Sequence, residues 1–598
     1  MHFYRHLPLP PLFFCLLSII ATSAGQAQID YTLNWTHPSS HYVHITVSAR
    51  AAGDSTDFRI PVWRPGRYVL QNYARNVVGF RAEDAQGAPL VFRKIDKSSW
   101  RVWHPGRDSL RVSYSYYANE LDGGSSYLDD SECYINPITS FAYIPGRELE
   151  PVRLRISKPA SWRIATALQR DGDELISENY HEFVDGPILI SPDFLLLDFD
   201  VQGVRHEIAI QGEFQADTSA FVDDLKKIVI AQTELMDDMP LDRYLFMFHL
   251  LQRPFGHGVE HKFSTSIVLG PADFLDKRFY RRLLSISSHE YFHIWNVERI
   301  RPAALMLPDY SRENYTTLMW LHEGITSYFS SRALLKAGLL SREKYLENRA
   351  ATISRYLRSP ARAIISPMES SFESWIKSQG QAPPNTYMSF YSLGDIIGTA
   401  LDLELLQRTK GRKGLAEAMQ WLNETYARKN LGIPDDALQR ACEAISGRDF
   451  SAFFQAHVQG VDEIDFARLL EQAGLALIAK EPAPGTPEVW LGLRLRGDEK
   501  QTNIANVVPN SPAYAAGLAR GDILIALDGR RVHRENYHRV LRRYKAGDRV
   551  TLTVIRNDRL REFSITCAER PVMAFKIVPV QEPEKEQKKL RNRWLFEK

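Results

Sequence analysis

Two histidines and a glutamate lie close together in the segment LLSISSHEYFHIWNV, residues 283–297. His289 and His293 are four positions apart, a spacing that puts both imidazoles on one face of a helix. Two imidazole nitrogens placed in this way can bind one Zn²⁺ ion at about 2.0–2.1 Å. Glu290 follows the first histidine, so its carboxylate can accept a proton from a zinc-bound water. The HExxH pattern therefore predicts metal-assisted hydrolysis.

A surface helix with two unrelated histidines is the alternative explanation of this pattern. The residues around the motif argue against it, because they are apolar and predict a buried helix: Leu283, Leu284, Ile286, Phe292, Ile294 and Trp295.

Zinc needs a third protein ligand and one open position. The next predicted helix contains Met319-Trp320-Leu321-His322-Glu323-Gly324. A carboxylate on an adjacent antiparallel helix completes a His₂Glu site, which favours Glu323. His322 remains a rival by residue type, and a surface carboxylate is the alternative for Glu323.

Two further segments contain candidate substrate-binding groups. In Phe255-Gly256-His257-Gly258-Val259-Glu260 the glycines would let the backbone approach a bound peptide, and Glu260 could bind a substrate ammonium group. A glycine-rich turn before a strand explains this segment equally well. Farther along, Tyr387 or Tyr391 could donate a hydrogen bond to an oxyanion, although either could also be a core aromatic residue.

The surrounding pattern predicts a multidomain α+β protein. We expect an N-terminal β-sandwich-like domain over 28–205, a mainly helical catalytic domain over 206–478 and a proline-rich linker over 479–488. A compact β-rich domain over 489–572 and a C-terminal tail over 573–598 should follow, and from Gln581 we expect the tail to be charged and solvated apart from Trp594, Leu595 and Phe596. Predicted helices that concern the site cover 221–236, 280–297, 317–337 and 394–409.

Composition and the N-terminus limit the class of protein. The chain has 598 residues and a formal net charge of +2, so no overall charge recruits nucleic acid. Residues 1–27 combine Arg5, an apolar stretch and Gly25-Gln26-Ala27, which predicts a signal peptide and a periplasmic or secreted protein. An uncleaved N-terminal anchor is the alternative. No later apolar run is long enough to span a membrane.

Cysteine usage gives no sign of a disulfide framework. Cys15 falls in the predicted signal peptide, and Cys133, Cys442 and Cys567 are an odd number of widely spaced residues.

Several separated motifs together resemble the glycyl aminopeptidase family of zinc metallopeptidases, a gluzincin group with a thermolysin-like catalytic domain. The resemblance extends over about 30–570 and rests on these stretches in order: Ile60 to Tyr68 (IPVWRPGRY), Gly258 to His261 (GVEH), His289 to Asn296 (HEYFHIWN), Glu323 to Tyr328 (EGITSY) and Tyr391 to Gly394 (YSLG).

This resemblance implies a role for each matched position. His289, His293 and Glu323 match the ligands of one zinc ion, and Glu290 matches the general base. Glu260 matches the glutamate that recognises a free N-terminus, and Tyr391 matches the transition-state tyrosine.

Three positions depart from the family pattern. His257 precedes Gly258 where the family usually has a second glycine, so its imidazole could narrow the site or point away from it. Leu393 stands where lysine is usual, and Glu298 where a basic residue is usual. These departures bear on substrate preference.

Residues 490 to about 570 resemble a PDZ domain. Trp490-Leu491-Gly492-Leu493 is similar to its carboxylate-binding loop, so Leu491, Gly492 and Leu493 are candidate contacts for a C-terminal peptide. A module that only packs on the catalytic domain is the alternative.

The sequence therefore favours an exported zinc aminopeptidase acting on peptides, with a possible preference for N-terminal Gly or Ala. A zinc endopeptidase of the same fold and a non-catalytic peptide-binding protein remain alternatives.

Overall fold

The computed structural model describes residues 28–597 except 379 and 381. The predicted signal peptide lies outside the described residues. None of the helices in the described part is both long and apolar enough to cross a membrane. Cys133, Cys442 and Cys567 are all buried free thiols.

The N-terminal region is built from strands in which alternate side chains are buried, as Val43, Ile45 and Val47 are in one of them. Its elements are β1 (Ile29–Asn34), β2 (Tyr42–Arg50), β3 (Ser55–Arg59), β4 (Val77–Asp84), β5 (Val91–Lys94), β6 (Ser99–Trp103), β7 (Ser109–Tyr117), β8 (Tyr127–Leu128), β9 (Cys133–Ile135), α1 (Pro137–Ser140), β10 (Val152–Ile156), β11 (Arg163–Thr166), β12 (Gln169–Asp171), β13 (Glu174–Ser177), α2 (Tyr180–Val184) and β14 (Ile188–Ser191).

These strands form sheets in the orders β12-β13-β10-β1-β2-β7-β4, β11-β14-β9-β8 and β3-β6-β5. Residues from all three sheets share one hydrophobic core, for example Val47, Val102 and Ile190. This agrees with the predicted sandwich-like domain.

The catalytic region begins with a sheet and continues as helices. Its elements are β15 (Leu195–Val201), β16 (Val204–Gln211), α3 (Thr218–Met236), β17 (Arg243–Leu250), β18 (Phe255–Glu260), β19 (Ser264–Gly270), α4 (Lys277–Phe292), a π-helical turn (Trp320–Ile325), α5 (Thr326–Lys336), α6 (Arg342–Leu357), α7 (Pro367–Phe372), α8 (Ser374–Lys377), α9 (Phe390–Arg408), α10 (Leu415–Thr425), α11 (Ala437–Ser446), α12 (Ser451–Phe454), α13 (Phe466–Gln472) and β20 (Leu475–Ala479).

The sheet of this region has the order β15-β16-β17-β19-β18, so β18 is an edge strand. Strand β18 pairs antiparallel with β19, with Gly258 opposite Ile267 and Glu260 opposite Thr265. The helices that follow share one large core with this sheet. The site residues come from β18, α4, the π-helical turn and α9.

The C-terminal β-rich region has its own core, which includes Ile504, Leu527 and Leu552. Its elements are β21 (Val489–Trp490), β22 (Leu493–Gly497), β23 (Thr502–Val507), α14 (Pro512–Ala515), β24 (Ile523–Leu527), β25 (Arg530–Arg531), α15 (Tyr537–Leu541), β26 (Arg549–Arg556), β27 (Arg559–Thr566) and β28 (Ala568–Glu569).

The chain after 573 differs from the solvated tail expected from its charge. Strand β29 (Phe575–Pro579) pairs antiparallel with β20, so the region between them is inserted in a two-stranded ribbon. Helix α16 (Lys585–Leu595) then exposes most of its charged residues and buries Leu590, Trp594 and Leu595 in the catalytic core. Its sequence is amphipathic, and the apolar stripe supplies the driving force for docking.

Candidate active site

Helix α4 delivers both histidines of the HExxH motif. The Asp276 side chain caps its N-terminus by accepting a hydrogen bond from the backbone N–H of Arg278. The helix ends at His293, whose Nδ1 donates to the carbonyl of Asn296 at 2.8 Å. A bond of this kind fixes the ring and leaves Nε2 free to bind a metal. His289 lies one turn earlier, with the ring centroids 4.8 Å apart.

Glu323 lies in the π-helical turn, which the sequence pattern did not reveal. Such turns are rare and occur often at functional sites. Here the turn packs closely against the first turns of α9. A Cβ atom on Gly324 would lie 2.3 Å from the Cα of Gly394, and one on Gly394 would lie 1.9 Å from the carbonyl oxygen of Trp320. Only glycine at both positions permits this contact.

The imidazoles and the carboxylate converge on one point. Glu323 Oε2 lies 3.4 Å from His289 Nε2 and 3.5 Å from His293 Nε2. One ligand atom from each residue falls within a group no wider than 4.8 Å. The buried Glu323 Oε2 makes no hydrogen bond, an arrangement that a metal ion would satisfy. Two imidazoles and one carboxylate fit a zinc site with an open fourth position.

His322, the rival third ligand, faces elsewhere. Its Nδ1 lies 3.2 Å from Asn296 Oδ1, and it is not part of the converging group. The Asn296 amide also donates to the carbonyl of Leu321 at 2.9 Å and to Thr326 Oγ1 at 3.0 Å. Asn296 thus joins the end of α4 to the turn with Glu323. Sequence reasoning gave it no role, although a polar amide in an apolar stretch was a usable signal.

Burial and neighbouring charges shift the pKa values of this group. Burial raises the pKa of Glu290 to about 8, with nearby Glu260 adding to the effect and His293 opposing it. Burial works against a charged His293, but its contact with Glu323 outweighs that and raises the pKa to about 10. Perturbed carboxylates and imidazoles in one cleft are typical of catalytic sites.

Strand β18 presents alternate residues to α4. A Cβ atom on Gly258 would lie 2.2 Å from Glu290 Oε1, so the missing side chain leaves room for this carboxylate. Glu260 points to the same side, and its carboxylate lies near the Glu290 carboxylate and the His293 imidazole, with one ligand atom of each within 4.8 Å of the others. A Cβ on Gly66, in the N-terminal domain, would lie 2.8 Å from Glu260 Oε1.

His257 points to the opposite side of β18, towards the N-terminal domain. Its Nδ1 accepts a hydrogen bond from the backbone N–H of Gly123 at 3.2 Å and lies 3.7 Å from the Asp122 carboxylate. Burial and nearby Arg64 lower its pKa to about 4, so the ring is neutral near pH 7. The imidazole thus points away from Glu290, and it lines a groove that Tyr391 also lines.

The two candidate tyrosines differ in their contacts. Tyr391 lies in the first turn of α9, and its ring stacks on that of His289 with centroids 6.2 Å apart. Tyr391 is 39% exposed overall, but desolvation of its phenol and the nearby charge of Glu323 raise its pKa well above the ordinary value, so it stays protonated and able to donate. The Tyr387 hydroxyl instead donates to the carbonyl of Ser370 at 3.4 Å.

Comparison with known families agrees with this geometry. Residues 30–192 match the Peptidase M61 N-terminal domain, residues 282–397 match M61 glycyl aminopeptidase, and residues 489–567 match the PDZ domain. No match is found among curated proteins. The resemblance drawn from the sequence motifs is confirmed. The chain is a metallopeptidase in which two stretches match M61 domains.

One solved structure gives the same picture of the fold. The chain aligns with an aminopeptidase N family protein from Idiomarina loihiensis at 27% identity and a TM-score of 0.87, over 95% of this chain and 100% of that chain. An M1 zinc metallopeptidase from Deinococcus radiodurans aligns at 14% identity and a TM-score of 0.43, over 70% of this chain and 90% of that chain.

The structure shows the contacts of two residues that depart from the family pattern, Leu393 and Glu298. Leu393 is buried in the core on α9, 3% exposed, where a lysine would need a charged partner. Glu298 accepts a hydrogen bond from Arg301 at 2.7 Å, and burial raises its pKa to about 7. Both Glu298 and Glu260 line a cavity of about 350 Å³ between the N-terminal and catalytic domains.

The predicted carboxylate loop of the PDZ domain leads directly into β22. This strand pairs only with β23 in the ladders of the described residues, so its outer edge is open. Leu491 is buried, and Gly492 has a φ of +85°. A Cβ there would lie 2.1 Å from the Cβ of Ser511, which also favours glycine.

Proposed function

We propose that the protein is an exported zinc-dependent aminopeptidase that removes N-terminal residues, including small ones such as Gly or Ala, from peptides. The observation that carries this proposal is the convergence of His289, His293 and Glu323 beside Glu290 and Glu260. In this proposal the first three residues hold one zinc ion. When bound, zinc supplies Lewis acidity to the scissile carbonyl and to a water molecule.

Glu290 is the proton carrier in this proposal. Its carboxylate is buried and lies against Gly258, so few positions are open to it. It accepts a proton from the attacking water and delivers it to the leaving amine. A positioned general base contributes about 10²–10⁴-fold to the rate.

Tyr391 and Glu260 act on opposite parts of the substrate. The protonated Tyr391 phenol donates a hydrogen bond to the oxygen on which charge develops. Glu260 binds the α-ammonium group through a charge-assisted hydrogen bond. Gly66 of the N-terminal domain lies close to Glu260, since a Cβ atom on Gly66 would be 2.8 Å from Glu260 Oε1.

The PDZ domain has a separate binding role in the proposal. A peptide would add as a strand to the open edge of β22, with its C-terminal carboxylate at Leu491, Gly492 and Leu493.

Two substitutions test the assignment. Glu290→Gln should retain zinc and lower kcat by about 10²–10⁴-fold, because the acceptor of the proton is lost. Glu260→Gln should weaken the use of free N-termini while leaving the metal in place. Zinc per chain is measured by elemental mass spectrometry, and kcat with an aminoacyl p-nitroanilide. Near-full turnover by Glu290→Gln would contradict the mechanism, and unchanged kinetics of Glu260→Gln would favour an endopeptidase.

A further inference from the structure

The PDZ domain contacts the catalytic domain at a loop that precedes α9. Asn385 Nδ2 in this loop donates to Asn506 Oδ1 and to the carbonyl of Val507, both at 3.0 Å. Asn506 Nδ2, on β23, donates back to Asn385 Oδ1 at 2.6 Å. We call the Asn385–Asn506 pair the amide clasp. Asn385 has a left-handed φ of 64°, which asparagine tolerates better than most residues.

The same loop lines the space next to the proposed metal ligands. A groove of about 900 Å³ has one wall formed by the loop and the start of α9: Ser378, Gly380, Tyr387, Ser389, Phe390 and Tyr391. The opposite wall includes Tyr68, Asp122 and His257. Whatever fixes the loop therefore fixes one wall of this groove and the entry into α9.

The two ends of the loop are held by different parts of the protein. Near α9, Ser370 Oγ donates to the carbonyl of Met388 at 2.7 Å. Farther from α9, residues 382–386 are joined to other segments only through Asn385, by the amide clasp and by the bond to the Val507 carbonyl, as judged from the hydrogen bonds of the described residues. The PDZ domain is thus the anchor of this part of the wall.

The PDZ domain is itself firmly attached. It begins and ends at the ribbon of β20 and β29, and the backbone N–H of Phe575 in β29 donates to Ser354 Oγ of α6 at 2.9 Å. Both ends of the inserted domain are therefore joined to the catalytic region. The amide clasp is a second connection between the two domains, in addition to this ribbon. Asn506 also lies opposite Arg494 of β22, one strand from the open edge.

We propose that Asn506 is a positioning residue for peptide hydrolysis. Acting through Asn385, it holds the wall of the substrate groove, and the PDZ domain is thereby part of the substrate-binding machinery. This inference rests on the proposed peptidase function. It predicts that loss of the clasp weakens substrate binding more than it slows the chemical step, because the metal ligands and Glu290 are anchored elsewhere.

The test uses full-length Asn506→Ala, Asn385→Ala and the double variant, with Asn503→Ala as the matched control. Asn503 lies on the same strand, and its side-chain contact is with Gln501 rather than with the catalytic domain. Hydrogen exchange by mass spectrometry reports on residues 382–392 without requiring activity. Steady-state kinetics with a tetrapeptide give kcat and KM separately.

In both single variants we expect faster exchange over 382–392 and a fall in kcat/KM of about 10-fold, mostly through KM, from the loss of two or three hydrogen bonds. The double variant should be no worse than Asn385→Ala, because Asn385→Ala already removes both bonds of the clasp and the bond to the Val507 carbonyl, whereas Asn506→Ala keeps the last of these. Asn506→Asp keeps an acceptor for Asn385 and should recover part of the loss. Asn503→Ala should match the wild type.

Three results would overturn the proposal. Unchanged exchange in Asn506→Ala would show that the clasp does not hold the wall. Faster exchange with unchanged kcat and KM would show that the clasp stabilises the loop without affecting substrate binding or hydrolysis. A wild-type protein without peptidase activity would refute the proposed function, and the catalytic role of Asn506 with it, while the exchange data would still report on the clasp.

Discussion

Strand β18 lies so close to Glu290 that adding a methyl group at Gly258 should move the Glu290 carboxylate. This substitution tests whether the position of that carboxylate matters for catalysis. In Gly258→Ala, the new Cβ would lie 2.2 Å from Glu290 Oε1, 2.5 Å from its Cδ and 2.8 Å from its Cγ. Gly258 does not have a positive φ, so the backbone accepts alanine without strain. The expected effect is therefore displacement of the Glu290 side chain.

The size of the displacement follows from these distances. Ordinary contacts of a Cβ atom begin near 3.4 Å, so the carboxylate must move by about 1 Å. A misplacement of about 1 Å can cost on the order of 10²-fold in rate. We expect kcat to fall by about 10²-fold, with the bound metal unchanged because the three atoms nearest to the new methyl group all belong to Glu290 and not to His289, His293 or Glu323.

Gly256→Ala is the matched control, since Gly256 lies on the same strand and the same face. Its Cβ would meet the Arg282 guanidinium at 1.8 Å, but Arg282 is exposed and can turn into solvent. Its kcat should stay within about twofold of the wild type. The assay measures kcat with an aminoacyl p-nitroanilide and metal per chain for both variants. A metal-loaded Gly258→Ala enzyme with wild-type kcat would refute the placement of Glu290.

Three further predictions concern the metal, the oxyanion and the C-terminus. Glu323→Ala should lose the metal whereas His322→Ala should keep it, as elemental mass spectrometry of dialysed protein would show; the reverse pattern would make His322 the ligand. Tyr391→Phe should lower kcat by about 10²–10³-fold, the usual cost of losing one oxyanion donor, while Tyr387→Phe should change it little; equal effects in steady-state assays would contradict this choice. Trp594→Ala should destabilise the fold by about 3–5 kcal/mol in denaturant unfolding, because a fully buried indole that donates to Tyr328 Oη at 3.0 Å is lost; a wild-type midpoint would show that α16 is not part of the core.

Local spacing was sufficient to predict the histidines of the site but not the choice between His322 and Glu323. The spacing of His289 and His293 depends only on helix geometry, which holds within α4. Which of two adjacent residues faces those histidines depends on a π-helical turn. That turn is associated with the contact between Gly324 and Gly394, which are far apart in the sequence.

Domain order could be predicted because each domain has its own pattern of apolar residues, and the matches to M61 and PDZ domains agree with it. The pairing of β20 with β29 could not be predicted, since it joins segments almost 100 residues apart across the inserted domain. Trp594 and Leu595 stand out in the charged C-terminal segment, but its charge concealed the helix α16 on which they form an apolar stripe with Leu590.

The sequence also could not predict to which side of β18 the His257 side chain points. Alternation along β18 fixes only that His257 faces opposite to Gly258. The hydrogen bond from Gly123 shows which face meets the N-terminal domain.

The most direct test of the central claim is cleavage of a peptide panel by zinc-loaded protein, followed by mass spectrometry. Each peptide is supplied with a free and an acetylated N-terminus, and Glu290→Gln serves as the control. We predict stepwise loss of N-terminal residues from the free peptides, with the acetylated forms at least about 10-fold slower, because an ionic hydrogen bond to Glu260 contributes about 1.5–3 kcal/mol. Internal cuts in both forms at equal rates would contradict the account.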